Sequence, residues 1–254
     1  MGPPSHANSP RILMPPVTIP YVLSELIQET PDTLTYRIKP AAGGEVIPYK
    51  PGQFVQLHLA PDSEVKMSRS YSVASSPTTR EFIDLTIKIQ GTFPQSLKDL
   101  KPGHVFGLRG PLGHFYFDPA TQPHIVLLGA GVGITPLMGM LRYATHLQLP
   151  NKVTFIDVNK SEEDTIYRHE LTAHHAKNNP NLDLVLSYTR LAPEHPWKGE
   201  RGRINWELIT KHVADPMNVH YFICGPDQMN KDLKVLLLEK GVPKERVKLE
   251  NMGF

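Results

Sequence analysis

The hydrophobic pattern changes its period part-way along the chain, and that change restricts the fold more than any other feature. From Val17 to about Asp118, apolar residues recur at every second position: Leu34, Tyr36 and Ile38 alternate with Thr35 and Arg37, and Ile83, Leu85, Ile87 and Ile89 with Asp84, Thr86 and Lys88. A period of two sets one face of a strand on a core and the other towards water. Further strands are expected at 20–28, 53–60, 69–75 and 104–109, between turn clusters such as Pro51-Gly52, Ser75-Ser76-Pro77 and Lys101-Pro102-Gly103. With one short helical piece near Ser96–Leu100, they predict a six-stranded antiparallel Greek-key barrel.

From Ile125 onward, strand and helix patterns alternate. Strands are expected at 124–128, 152–158, 182–188, 219–223 and 246–250, with helices at 136–148, 164–177, 205–213 and 226–240. Such alternation predicts a five-stranded doubly wound parallel sheet, which binds ligands beyond the carboxyl ends of its strands. Residues 119–123 read as the start of this half, giving domains at 17–118 and 119–254. The proline-rich lead, residues 1–16, has no repeating apolar pattern and reads as a flexible extension.

Composition narrows the function. Twenty-seven basic and 25 acidic residues leave a formal charge of +2, too balanced for a protein built to grip nucleic acid. The single cysteine, Cys224, can form no internal disulfide and cannot hold a four-cysteine cluster, so redox chemistry needs an organic cofactor. No metal site is expected. His169, His174 and His175 read as a histidine-rich surface helix, with Ala173 where the second histidine of a zincin motif would stand. Hydrolase chemistry lacks its G-x-S-x-G context. No apolar run is long enough to span a bilayer and prolines interrupt the N-terminus, so no transmembrane segment and a cytoplasmic location are expected.

Three loops carry the chemistry. Gly129-Ala-Gly-Val-Gly-Ile-Thr-Pro136 joins the first strand of the second half to its first helix, a place where glycines let backbone amides approach a phosphate. Thr135 is the expected helix cap and Pro136 the expected first helical residue. The spacing is G-x-G-x-G, so the ordinary dinucleotide fingerprint is not met and a ligand-free turn stays open. Cys224-Gly-Pro226 ends another central strand beside the same crevice, though a lone cysteine is as readily a small buried hydrophobe. In Arg69-Ser-Tyr71-Ser72, an arginine able to hold a diphosphate precedes by two positions an aromatic on the same strand face. On the residues alone, a plain strand with a salt-bridging arginine is the stronger reading.

Taken in order, Arg69-x-Tyr71-Ser72, Gly91-Thr-Phe-Pro-Gln-Ser96-Leu97, Gly110-Pro-Leu-Gly113, Gly129-x-Gly-x-Gly-x-Thr-Pro136 and Cys224-Gly-Pro226 resemble the motif set of the ferredoxin-NADP reductase family. The resemblance extends over roughly residues 17–254. It implies an FAD-binding barrel followed by a nicotinamide-binding domain. It further implies that Arg69 and Ser70 hold the FAD diphosphate, Tyr71 lies against the isoalloxazine and the Ser72 hydroxyl sits near flavin N5. Ile87, Ile89, Gln90, Gly91, Ser96 and Leu97 complete the flavin side. Gly131, Gly133, Thr135, Pro136, Asn159, Arg190 and Met229 contact the dinucleotide, while Cys224, Gly225 and Pro226 fix the nicotinamide. Glu250 is implied as a proton source and Phe254 as a lid over the ring.

The implied reaction moves a hydride from NADH, with NADPH as the other possible donor, to FAD, and then passes electrons to a separate acceptor such as a ferredoxin, an oxygenase or a small cytochrome. Ser72, Cys224 and Glu250 are its expected catalytic residues. NADH is favoured because Asp157, Glu162, Glu163 and Asp164 would repel a 2′-phosphate, against which Lys160, Ser161 and Arg190 are the counter-signal. Two other readings stand beside this one: a reductase of diffusible flavin, and a non-catalytic subunit that keeps the cleft for binding.

Overall fold

The structure is a computed structural model and describes residues 18–61 and 68–251. The proline-rich lead and Phe254 lie outside the described residues.

The first half comprises β1 (Ile19–Thr30), β2 (Thr33–Pro40), β3 (Phe54–His58), β4 (Ser68–Ser72), β5 (Ile83–Lys88) and β6 (Val105–Leu112). Every pairing is antiparallel, in the order β4-β3-β6-β1-β2-β5. The end strands come together where the Ala74 amide donates to the Asp84 carbonyl at 2.9 Å, which closes the barrel. Tyr36, Ile38, Val55, Leu57, Leu85 and Phe106 fill its centre. The alternation along β5 predicts a wet outer face, yet Asp84 and Thr86 are also buried, because that face packs on the second half. A short helix, α1 (Thr92–Leu97), starts four residues earlier than its sequence pattern indicated, directly after Gly91 at φ +87°.

The second half follows the expected alternation: β7 (His124–Ala130), α2 (Ile134–His146), β8 (Lys152–Asn159), α3 (Ala176–Asn178), β9 (Leu182–Tyr188), β10 (Glu200–Arg201), α4 (Trp206–His212), β11 (His220–Gly225), α5 (Asp227–Glu239) and β12 (Val247–Asn251). All pairings are parallel, in the order β10-β9-β8-β7-β11-β12. The five expected strands are present. The two-residue β10 makes a sixth, too short to leave a hydrophobic signature.

Two helical expectations need correction. The helix expected at 164–177 is a π-helical segment, Glu170–His175, running into α3, and His175 is fully buried, not part of an exposed histidine face. α2 begins at Ile134, so Gly133 takes the cap position. Thr135 is buried inside the first turn, where its hydroxyl donates to the Val132 carbonyl at 3.1 Å, and Pro136 is the third helical residue.

Candidate cofactor-binding site

Chain order and strand order diverge between β7 and β11: β8 and β9 extend the sheet to one side of β7, and β11 and β12 to the other. A doubly wound sheet opens a crevice at such a point, outside the carboxyl ends of the strands. The glycine-rich loop leaves β7 there, and Cys224-Gly225-Pro226 leaves β11. A cleft of about 780 Å³ occupies the crevice.

Gly131, Gly133, Asn159, Gly225, Pro226 and Met229 line this cleft from the sheet side, and Gln90 lines it from the barrel. All seven are nucleotide or flavin ligands expected from the sequence. Gly131 has φ +54°, and a Cβ there would meet nothing within 4 Å, so its backbone faces open space. Gly133 is needed for a different reason. It has an ordinary helical φ, but a Cβ on it would fall on the Cys224 carbonyl, so the two ligand loops are in backbone contact. The Gly131 amide donates to the Asn159 side chain at 3.2 Å. Backbone amides at such a turn, ahead of a long helix, suit a diphosphate.

Cys224 is fully buried, and burial pushes its thiol well above the ordinary range, with the Glu250 charge adding to the shift. Its side chain is therefore a neutral hydrophobe, and the nearby backbone is what meets the cleft. Glu250 pairs with Cys224 in register and is half-buried, so burial raises its carboxyl too.

The flavin-side residues gather around α1. Tyr71 lies 6.3 Å from Phe93 between ring centroids, and the Arg69 guanidinium stands 5.7 Å from the same ring. Arg69, Ser70, Gly91 and Ser96 are exposed, and a Cβ at Gly91 would meet nothing. Ser72 is buried at the end of β4. The Tyr71 hydroxyl is buried without a hydrogen-bond partner. A hydroxyl in that state, flanked by an exposed guanidinium and an open glycine, fits a polar, anionic ligand and hence the FAD that this half is expected to hold. Ile87 and Leu97 are buried in the barrel core and Ile89 packs against it, so these three shape the wall from behind.

Several expected residues stand elsewhere. Thr135 and Pro136 are interior, and Arg190 is exposed without lining the cleft. Of the four acids expected to repel a 2′-phosphate, only Asp164 lines the cleft. Asp157 is fully buried in β8, Glu162 is paired with Arg168, and Glu163 faces a second, charged cavity. Conversely, Lys88, Lys160 and Arg203 line the cleft, and only Lys160 of these was singled out from sequence. Lys88 was legible as an outward position on an alternating strand, whereas Arg203 lies in a loop with no pattern.

A network absent from any motif joins the halves. Arg142, on α2, forks onto the Glu170 carboxylate at 2.8 and 2.6 Å and donates to the Ala74 carbonyl, two residues past Ser72, at 2.8 Å. The Tyr167 hydroxyl bonds Thr86 of β5 across the same seam. A Cβ at Gly139 would come within 2.7 Å of the Val73 carbonyl, so α2 lies directly on the loop that leaves the flavin strand. Burial works to raise the Glu170 carboxyl, but hydrogen bonds from Arg142 and His175 outweigh it and hold the group well below the usual carboxylate range. A depressed native pKa contributes stability above the unfolded-state value of 4.5 and loses it as pH falls through and below that value. Thermal melts should therefore drop as pH is lowered from 5 towards 3, and Glu170→Gln should flatten that drop while lowering stability at neutral pH.

The two halves match separate family models: an oxidoreductase FAD-binding domain over residues 20–117 and an oxidoreductase NAD-binding domain over residues 127–234. The chain belongs to the ferredoxin-NADP reductase family. Among curated members of that family, it is 33% identical over 232 residues to the glycine betaine monooxygenase reductase subunit of Pseudomonas aeruginosa, covering 90% of this chain and 63% of that one. It is 31% identical over 173 residues to NADH-cytochrome b5 reductase 2 of Neurospora crassa, covering 66% of this chain and 50% of that one. The chain thus spans between half and two thirds of these reductases' length. In fold, this ferredoxin-NADP reductase relative matches the cytochrome b5 reductase domain of Ulva prolifera nitrate reductase with a TM-score of 0.80 at 21% identity, over 94% of this chain and 99% of that one.

Proposed function

We propose that the protein is an NADH-dependent FAD flavoprotein reductase that hands electrons to a separate protein acceptor, of the oxygenase, ferredoxin or small-cytochrome class. The observation that carries this reading is the cleft at the sheet's switch point, walled by Gly131, Gly133, Gly225 and Pro226 on one side and by Lys88 and Gln90 of the barrel on the other. The acceptor class is supported by the reductase relatives, one of them a monooxygenase subunit and another a cytochrome b5 reductase.

FAD and the nicotinamide supply the hydride chemistry, and the protein's task is to hold two rings in register. Arg69 and Ser70 would hold the FAD diphosphate, Tyr71 would lie against the flavin, and Ser72 would stand near its reactive edge. The Gly131 and Gly133 backbone holds the dinucleotide diphosphate, with Met229 and Pro226 beside it. The backbone at Cys224 and Gly225 seats the nicotinamide, and Glu250, whose carboxyl burial raises above its ordinary value, stands behind as a proton source. Residues 17–118 form the flavin half and 119–254 the nucleotide half. NADH is the assigned donor because Asp164 faces the cleft. Lys160 and Arg203 are the groups a 2′-phosphate would seek.

Anaerobic titration of the purified protein with NADH and NADPH in parallel, read at the flavin bands, tests this directly. FAD should copurify and bleach at lower concentrations of NADH than of NADPH. A colourless protein would point to diffusible flavin, and a coloured protein that neither nucleotide bleaches would overturn the enzymatic reading. Arg69→Ala should lower flavin occupancy several-fold, and unchanged occupancy would remove Arg69 from the diphosphate site.

A further inference from the structure

Asp157 is the most anomalous group beside the cleft. It lies in β8 with no exposed surface, and one carboxyl oxygen, Oδ1, has no hydrogen-bond partner. The other, Oδ2, accepts from Asn159 Nδ2 at 2.6 Å, and the Asn159 side-chain oxygen in turn accepts from the Gly131 amide at 3.2 Å. Asn159 and Gly131 both line the cleft, and Asp157 sits one side chain behind them. Oδ1 points at the neighbouring strand, where a Cβ on Gly129 would be 3.2 Å away, so the carboxyl fills a space that a side chain there would crowd.

The geometry points to Asp157 as a proton-linked positioning residue of the nucleotide loop, acting through Asn159 on the Gly131 amide, so that binding the dinucleotide diphosphate is accompanied by proton uptake at this carboxyl. The inference rests on the nucleotide reading of the cleft given above. A buried carboxylate with an unpartnered oxygen is costly, and a proton on Oδ1 removes the charge. Bringing a diphosphate to Gly131 adds negative charge close by, which favours the protonated acid further. By linkage, affinity for the nucleotide must then fall as pH rises through the carboxyl's own titration.

The surroundings isolate the effect. At the register of Asp157, β7 presents Gly129 and β9 presents Leu186, and Leu137 of α2 lies against Gly129. Beyond Gly129 in the same row stand Cys224 of β11 and then Glu250 of β12. Among the described residues, the charged groups lining the cleft from the sheet half are Lys160, Asp164, Arg203 and Asp232, with Lys88 and Asp32 on the barrel side, and no histidine lines it. Burial pushes the Asp157 carboxyl up to about 7, against the smaller opposing pull of the Asn159 bond.

The test is calorimetric titration of the flavin-loaded protein with NAD+, whose diphosphate does not titrate between pH 6 and 9, in phosphate and in Tris buffer. The difference in heat between the two buffers counts protons. Wild type should take up a fraction of a proton near pH 7.5, and its dissociation constant should rise about tenfold from pH 6 to pH 9. Asp157→Asn, which keeps the shape and the contact with Asn159, should show no uptake and a flat pH profile with flavin content unchanged. NAD+ binding with no proton uptake in wild type, or an equal pH slope in the variant, overturns this assignment alone. Failure of NAD+ to bind at any pH overturns the nucleotide reading itself and this assignment with it.

Discussion

Replacing Arg142 with methionine should cost about 3–5 kcal/mol of stability, because it strips one partner from a buried ion pair and leaves the other groups stranded. The Arg142 side chain is only 11% exposed, and its guanidinium serves three acceptors. Two are the oxygens of Glu170 and one is the Ala74 carbonyl, and Asp84, itself almost wholly buried, lies 3.9 Å away. Methionine fills much of the volume, so the loss would come from uncompensated polar groups and not from a cavity. Glu170 would lose its main cation and Ala74 its donor. Asp84 would keep the fork from Arg37 at 2.9 and 3.1 Å. Urea unfolding followed by far-ultraviolet circular dichroism measures the loss. Because this contact also ties the flavin strand to the helix that starts at the glycine-rich loop, the variant should unfold in two separated steps where the parent shows one. Arg142→Lys should recover part of the stability, since a lysine keeps the charge without the fork. An Arg142→Met protein within about 1 kcal/mol of wild type would show that this ion pair contributes little to holding the seam.

Gly133→Ala should weaken nucleotide binding roughly ten- to a hundredfold while leaving the flavin half intact. The added methyl would land on the Cys224 carbonyl, with the Gly225 Cα 2.6 Å away. Those atoms belong to a central strand paired on both sides, so they cannot yield cheaply. The glycine-rich loop must lift instead, and the relief of such overpacking typically costs about 1–3 kcal/mol. Both loops of the cleft would shift together, and an error of about 1 Å in ring placement can lower a rate about a hundredfold. Stopped-flow reduction of the bound flavin over a range of NADH concentrations should show a raised half-saturation and a slower limiting rate, with flavin content unchanged. Reduction at the parental rate would mean that the contact between the loops does not position the nucleotide. Gly131 is the informative control. There, alanine meets open space, and the only cost is the left-handed backbone, so asparagine, which tolerates that conformation, should be accepted at Gly131 with a smaller loss.

Much of the architecture was legible because burial on one face leaves a period. The alternation of Ile83, Leu85 and Ile87 marked β5, and the apolar run ending at Gly129 marked β7. The positions of the ligand loops followed from strand and helix alternation alone. What sequence patterning hid were contacts between residues distant along the chain. Asp84 and Thr86 read as solvent-facing until the second half was seen to cover them, and Asp157 read together with the loop acids Glu162, Glu163 and Asp164 although it lies inside β8. Arg142 sits within the apolar helix α2, and no motif singles it out. Its partners lie 28 and 68 positions away, and no local pattern encodes them. Thr135 and Pro136 carried a true helix-start signal, displaced because the chain enters the helix through a tight turn at Gly131–Gly133.

The two-residue strand β10 also has a consequence for the behaviour of this protein in concentrated solution. Sheets with long bare margins template the addition of further strands from other molecules and so seed aggregation. Here the margin beyond β9 is closed off almost at once. The Glu200 carbonyl is taken by the Trp197 indole at 2.9 Å, and its carboxylate is held by Lys211 at 2.6 Å, leaving an incoming chain little to pair with on that side.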